Sequence, residues 1–259
     1  MEKIWESQAS LDQYFPEHKV SPDEVAIMRF IVGFFKKQKK VFNTAIDFGA
    51  GPTIHRIVPL VPYLKEISIA EFLPESRQEV QKWLKGGKGA RNWDTYIKKV
   101  LQVEGSVRSE KHITQRRALL RKKVKHVLHG DIFQTFPLGK PKKYQIVTSF
   151  YCADAVTASK KVWLGLMKNL STLVAPEGWL LLTTCVETAY SILEGKKMHN
   201  VFLTEKDVHK ALVYLGYTKD SIKIKVIPAD MWSHVGISKV LVVVAQKPKI
   251  LKHEAETRN

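Results

Sequence analysis

The stretch Ala45-Ile46-Asp47-Phe48 followed by Gly49-Ala50-Gly51-Pro52-Thr53 constrains the fold more than any other part of the chain. A short, mostly apolar run that stops at two glycines reads as a buried strand opening into a turn. In such a turn the backbone passes close to a ligand. Asp47 stands two residues before the first glycine, and Glu71 follows 20 residues after Gly51. A strand, a glycine turn and an acid ending the next strand are the parts of a site for a ribose-containing cofactor.

The rest of the chain repeats a strand–helix rhythm. Residues 21–37 predict a helix with Ser21 as cap, Pro22 in the first turn and Glu24 completing a capping box. Its apolar stripe is Ile27, Met28, Ile31, Phe34 and Phe35. Further helices are expected over 74–84, 108–123, 162–173 and 204–215, and strands over 45–48, 66–70, 124–129, 144–150, 179–184, 222–227 and 239–245. Pro176-Glu177-Gly178 reads as the turn before the 179–184 strand. Seven strands with helical crossovers predict an α/β fold, a Rossmann-like, doubly wound mixed sheet. The last two strands have no helix between them and read as an antiparallel C-terminal hairpin. One domain over 1–247 is the economical reading, with 1–40 as an N-terminal segment and 248–259 as a disordered polar tail.

Composition narrows the setting. In 259 residues, 44% apolar content supports a core, and no run of 18 apolar residues exists to span a membrane. Cys152 and Cys185 form no CxxC pair, which points to a reducing, cytoplasmic setting without structural zinc. The net charge of +17 is concentrated: residues 82–126 carry 14 Lys and Arg against three acids. That segment is either a surface for RNA or a solvated helix face. The lack of interleaved aromatics favours the second reading.

Four polar positions fall at expected strand ends: Gly49-Ala50-Gly51, Glu71, Asp131 and Ser149. A carboxylate at 71 can accept from both ribose hydroxyls, and Asp131 with the Ile132 amide can read adenine. The devices that cradle phosphate are missing, since Pro52 interrupts GxGxxG and no Walker lysine is present. A sulfonium donor needs no phosphate site, and the whole pattern resembles the class I S-adenosylmethionine methyltransferases.

The resemblance extends to one family. The segments 47–54 (DFGAGPTI), 73–84 (LPESRQEVQKWL), 103–105 (VEG), 11–15 (LDQYF) and 190–195 (YSILEG) are similar to the small-molecule methyltransferases that include nicotinamide, phenylethanolamine, thioether and indolethylamine N-methyltransferases. The similarity runs from about Leu11 to Lys247. It implies an N-terminal helical lid carrying Tyr14 and Phe15 over donor and acceptor. It implies S-adenosyl-L-methionine as donor, released as S-adenosyl-L-homocysteine, and no metal. Gly49, Ala50, Gly51 and Thr53 fall at donor positions, the two glycines along its methionine part. His55 stands where the family usually has tyrosine, Glu71 where it has the ribose aspartate, and Ser76 where it has an asparagine. Phe72, Asp131 and Ile132 match positions around adenine, and Ser149, Phe150 and Asp154 pass beneath the sulfonium.

For the acceptor, the resemblance implies Tyr14, Asp154, Thr183, Glu187, Tyr190 and His234, with Glu187 as the catalytic acid that anchors or deprotonates an amine. Thr183 or Thr184 replaces an aspartate that nicotinamide methyltransferase uses. The second amine-facing acid of the phenylethanolamine enzyme falls at Val235 or Gly236. The expected enzyme is thus a monomeric amine N-methyltransferase with a small-molecule acceptor. The alternatives are an RNA methyltransferase using the basic segment, or a non-catalytic binding protein. Against the first stands Ser149–Asp154, which lacks the paired prolines of enzymes acting on base amino groups.

Overall fold

A computed structural model describes residues 8–107 and 109–249, without the side chains of residues 8–10. In chain order the elements are α1 (Gln8–Tyr14), α2 (Pro22–Gln38), β1 (Phe42–Phe48), β2 (Leu64–Glu71), α3 (Pro74–Leu84), α4 (Asp94–Glu104), α5 (Glu110–Lys123), β3 (Val124–His129), β4 (Tyr144–Phe150), α6 (Lys160–Ser171), β5 (Val174–Val186), β6 (Tyr190–Leu193), β7 (Lys196–His199), α7 (Glu205–Tyr214), β8 (Lys223–Pro228) and β9 (Lys239–Gln246).

The seven-stranded sheet runs β3-β2-β1-β4-β5-β9-β8, with β6-β7 as a separate hairpin. Strands β3 to β5 are parallel, and β9 pairs antiparallel with β5 and with β8. The expected reversed hairpin is therefore present. Chain order turns back between β1 and β4, whose pairing aligns Ala45 with Ile146 and Asp47 with Thr148. That reversal is where open sheets of this kind hold ligands. Helices α2, α4 and α5 close one face through Ile31, Phe35, Ile97, Val100 and Leu120. Helices α6 and α7 close the other through Leu166, Leu170, Val208 and Leu212.

Three local expectations change. Ser21 makes no side-chain cap bond. Glu24 is instead buried and pairs with Arg56 at 2.7 Å. A buried guanidinium needs a counter-ion more than one helix N–H needs a cap, because a charge out of water costs several kcal/mol, on the order of tens without a partner. Strand β5 starts at Val174 rather than after the proline turn. The register against β4 shifts between Tyr144 and Ile146, and Glu177 takes a positive φ of 57°, so the turn is absorbed as an irregularity within the strand. Helix α4 lies inside the basic segment and buries Tyr96, Ile97, Val100 and Leu101.

The basic segment is partly structural. Arg116 is bidentate to Glu104, Arg117 pairs with Asp94, Lys123 donates to the Val61 carbonyl, and Arg121 packs over Trp83. At the other end, the Lys247 N–H donates to the Gly178 carbonyl, and Pro248 accepts from the Glu177 N–H. Pro248, the first residue of the expected tail, is therefore bonded to the fold, and residues 250–259 lie outside the described residues. No described helix is long and apolar enough to cross a membrane.

Candidate functional site

The glycine turn extends the β1–β2 ladder by one bond, Gly49 N–H to the Ala70 carbonyl at 2.8 Å, and then leaves the sheet. Gly49 sits at φ +70°, and a Cβ there would stand 2.6 Å from the Cβ of Cys152 and nearer still to its sulfur. Only glycine fits, for backbone and for space. Glu71 fixes the turn from the next strand: Oε2 accepts from Gly51 N–H at 2.9 Å and Oε1 from Leu73 N–H at 3.0 Å. A carboxylate has about four lone-pair sites, so two acceptor positions stay open to a ligand diol. Beneath the turn, Asp47 accepts from Thr148 Oγ1 at 2.6 Å, and burial pushes its pKa up to about 6.

These groups line a cavity of about 360 Å³. Gly49, Ala50, Gly51 and Thr53 line it together with Glu71, Phe72, Asp131 and Ile132. Phe15 and Phe150 also border it. Asp131 holds its loop by accepting from Phe133 N–H at 2.9 Å, and Ile132 is fixed by Asn169, which donates to its carbonyl at 3.0 Å. Acceptor groups at the β2 and β3 ends, an apolar interior and a glycine floor suit a nucleoside joined to a short chain without phosphates.

A second cavity, of about 90 Å³, lies against the first. Tyr14, Asp23, Glu24, Cys185, Asn200 and Trp232 line it, and Phe15, Arg56, Tyr151 and Ala155 line both cavities. The N-terminal segment thus gives Phe15 to both cavities and Tyr14 to the smaller one. Arg91 holds it from one side, donating to the Phe15 and Leu11 carbonyls and pairing with Asp12. From the other side, Gln13 and the Tyr14 hydroxyl donate to the Ile192 carbonyl on β6. Tyr14, expected to touch donor and acceptor, borders only the smaller cavity.

Several expected site residues line neither cavity. His55 is fully buried behind Phe15, stacked on Trp93 at 4.9 Å. Its Nε2 accepts from Arg56 Nε at 3.1 Å, and Glu24 at 3.6 Å is too far for a hydrogen bond. Burial pulls its pKa down to about 4, so it is a neutral prop for Arg56. Ser76, Ser149 and Thr183 are buried among their helix or strand neighbours. Asp154 accepts from Cys185 N–H at 2.8 Å, tying the loop after β4 to β5, and burial raises its pKa to about 6.

Glu187, expected as the catalytic acid, is half-exposed and ion-paired with Lys239 at 2.6 Å. It stands at φ +54° just beyond β5, and that turn carries the side chain to the surface. Tyr190 lies on β6 with Lys197 over its ring, and His234 is exposed in the turn Asp230–Val235. Gly236, one of the two positions expected for the second acid, has no room for a side chain. Its φ is +89°, and a Cβ there would meet the Tyr190 carbonyl at 2.6 Å.

Conversely, Arg56, Asp23, Tyr151 and Trp232 were not singled out from the sequence. The available signal was a charge inside an apolar run, Ile54-His55-Arg56-Ile57-Val58, which demands a buried partner.

A model of the NNMT/PNMT/TEMT family matches residues 1–248. Phenylethanolamine N-methyltransferase of Macaca mulatta is 29% identical over 197 residues, 74% of this chain and 69% of that protein. Nicotinamide N-methyltransferase of Sus scrofa is 29% identical over 182 residues, 69% of this chain and 67% of that protein. Among solved structures, magnesium protoporphyrin IX methyltransferase from Synechocystis with bound SAM superposes with a TM-score of 0.54. Its identity is 11%, covering 94% of this chain and 93% of that one, a likeness of fold.

Proposed function

Since the chain belongs to the NNMT/PNMT/TEMT family, we propose that its acceptor is a small amine held in the smaller cavity and anchored by Asp23. The reaction class is S-adenosylmethionine-dependent N-methylation of a small molecule. When bound, the donor supplies a methyl group already activated by a positive sulfur. The protein's task is then to hold two reactants in line, and orientation of that kind accounts for about 7–11 kcal/mol of a barrier. Phe15, Arg56 and Tyr151, which border both cavities, are where the two reactants meet.

Asp23 carries the proposal. It is 5% exposed, accepts from Trp232 Nε1 at 3.1 Å, and has no cation beside it among the described residues. Burial and the neighbouring Glu24 charge raise its pKa. An uncompensated buried carboxylate is costly, and an ammonium guest removes that cost. A carboxylate with raised proton affinity can also take the proton that an alkylammonium must shed before its lone pair attacks. Glu24 is already neutralised by Arg56, so the two adjacent acids differ in role.

The test is Asp23→Asn. KM for an amine acceptor should rise at least about tenfold, the scale of one hydrogen bond to a charged group, while calorimetric affinity for S-adenosylhomocysteine stays unchanged. Unaltered KM and kcat would remove Asp23 from the acceptor site. A monomeric cytoplasmic enzyme is part of the proposal, and the unpaired Cys152 and Cys185 support a reducing compartment.

A further inference from the structure

We propose that Arg56 receives the carboxylate of the donor's methionyl end, an inference that rests on the assignment of the larger cavity to S-adenosylmethionine. The donor is a nucleoside at one end and an amino acid at the other. Acceptor groups for the nucleoside, Glu71 and Asp131, follow β2 and β3. The other end must therefore extend across β1 toward β4, a span from β3 of three strand spacings, about 14 Å. At the β4 end stand Phe150 and Tyr151, and against them lies Arg56.

A carboxylate entering a largely apolar cavity needs a cation or a set of N–H donors. Among the described residues lining this cavity, Arg56 is the one arginine or lysine, and the other basic group is His199. Arg56 is 7% exposed, fixed along one edge and packed among aromatic rings. Nη2 donates to Glu24 at 2.7 Å and Nε to His55 at 3.1 Å. The guanidinium carbon lies 5.1 Å from the Phe15 ring centroid, 5.3 Å from that of Phe150 and 4.6 Å from that of Tyr151.

Those bonds occupy two of the three guanidinium nitrogens and leave the Nη1 donors without a protein partner among the described residues. A planar cation with one edge fixed and one edge open is already oriented for a carboxylate. The charge of Arg56 also reaches Asp47 beneath the glycine turn, whose pKa it lowers against the larger effect of burial.

Calorimetry with two ligands tests this: S-adenosylhomocysteine, and S-adenosyl-3-thiopropylamine, the same molecule without the carboxylate. Arg56→Gln alone would leave Glu24 buried without a cation, so the measurement is repeated in Glu24→Gln/Arg56→Gln, where two amides replace the ion pair. Both variants should bind S-adenosylhomocysteine about 10–100-fold more weakly, the range for hydrogen bonds to a charged group. Affinity for the decarboxylated ligand should stay within about twofold of wild type, below the scale of any single hydrogen bond. Equal weakening of both ligands would assign Arg56 a structural role, and unchanged affinity for S-adenosylhomocysteine would place the carboxylate elsewhere. Either result overturns the proposal. Failure of the wild type to bind either ligand would instead overturn the donor assignment.

Discussion

Gly49→Ala probes the turn on which the donor cavity rests. Two costs add. A side chain at φ +70° brings the left-handed penalty of about 1–2 kcal/mol. The new methyl also stands 2.6 Å from the Cβ of Cys152, and overpacking of that kind costs about 1–3 kcal/mol. Urea unfolding should show a loss of about 2–5 kcal/mol at unchanged m-value. Adding Cys152→Gly removes the atoms the methyl meets and leaves the backbone cost. The double-mutant cycle should then give a favourable coupling of about 1–3 kcal/mol. A loss below about 1 kcal/mol, or a coupling near zero, would refute the reading of Gly49 as both conformationally and sterically required.

Glu71→Ala removes the acceptors assigned to the ribose and the anchors of Gly51 and Leu73, so affinity for S-adenosylhomocysteine should fall at least about 100-fold by calorimetry. Retained affinity would move the ribose elsewhere. Glu187→Gln should leave kcat and KM within about twofold, since an exposed pair of this kind contributes at most about 1 kcal/mol, and a large kinetic defect would return Glu187 to the acceptor site. His55 gives a pH signature. Its pKa in the fold is about 4, against an ordinary 6.5. Between those values the unfolded chain binds a proton that the folded chain refuses, so stability from this residue is lost as pH falls through 6.5 to 4. Asp47 and Asp154, raised to about 6, act in the opposite direction, so the comparison is with His55→Phe rather than with wild type alone. The stability advantage of wild type over that variant should shrink on acidification by on the order of 1.4 kcal/mol per pH unit, measured by denaturant titration. A pH-independent difference would mean the imidazole titrates freely.

How much of this was legible in the sequence depended on whether a signal was local. The strands at 124–129 and 144–150 and the helix at 74–84 are set by short-range pattern and were placed at their observed bounds. The lining of the larger cavity was equally legible, because Gly49, Glu71 and Asp131 sit at strand ends and topology brings strand ends together. The lining of the smaller cavity was not. The family resemblance implies Glu187 as an acceptor residue, but a left-handed turn sends it outward to Lys239. Glu24 reads in sequence as half of a capping box and Asp23 carries no signal of its own, because their burial depends on Trp232 and Arg56, 209 and 32 residues away in sequence. Helix α4 was hidden by the charge around it, although its Tyr96, Ile97, Val100 and Leu101 have helical spacing.

Methyl transfer from S-adenosylmethionine to a small amine can be followed in one competition assay. The protein is given methyl-labelled S-adenosylmethionine with a panel of small amines, matched alcohols and carboxylic acids, and structured RNA. Label is expected on an amine nitrogen, with equimolar S-adenosylhomocysteine released. Label on RNA alone, or donor turnover with no amine labelled, would contradict it.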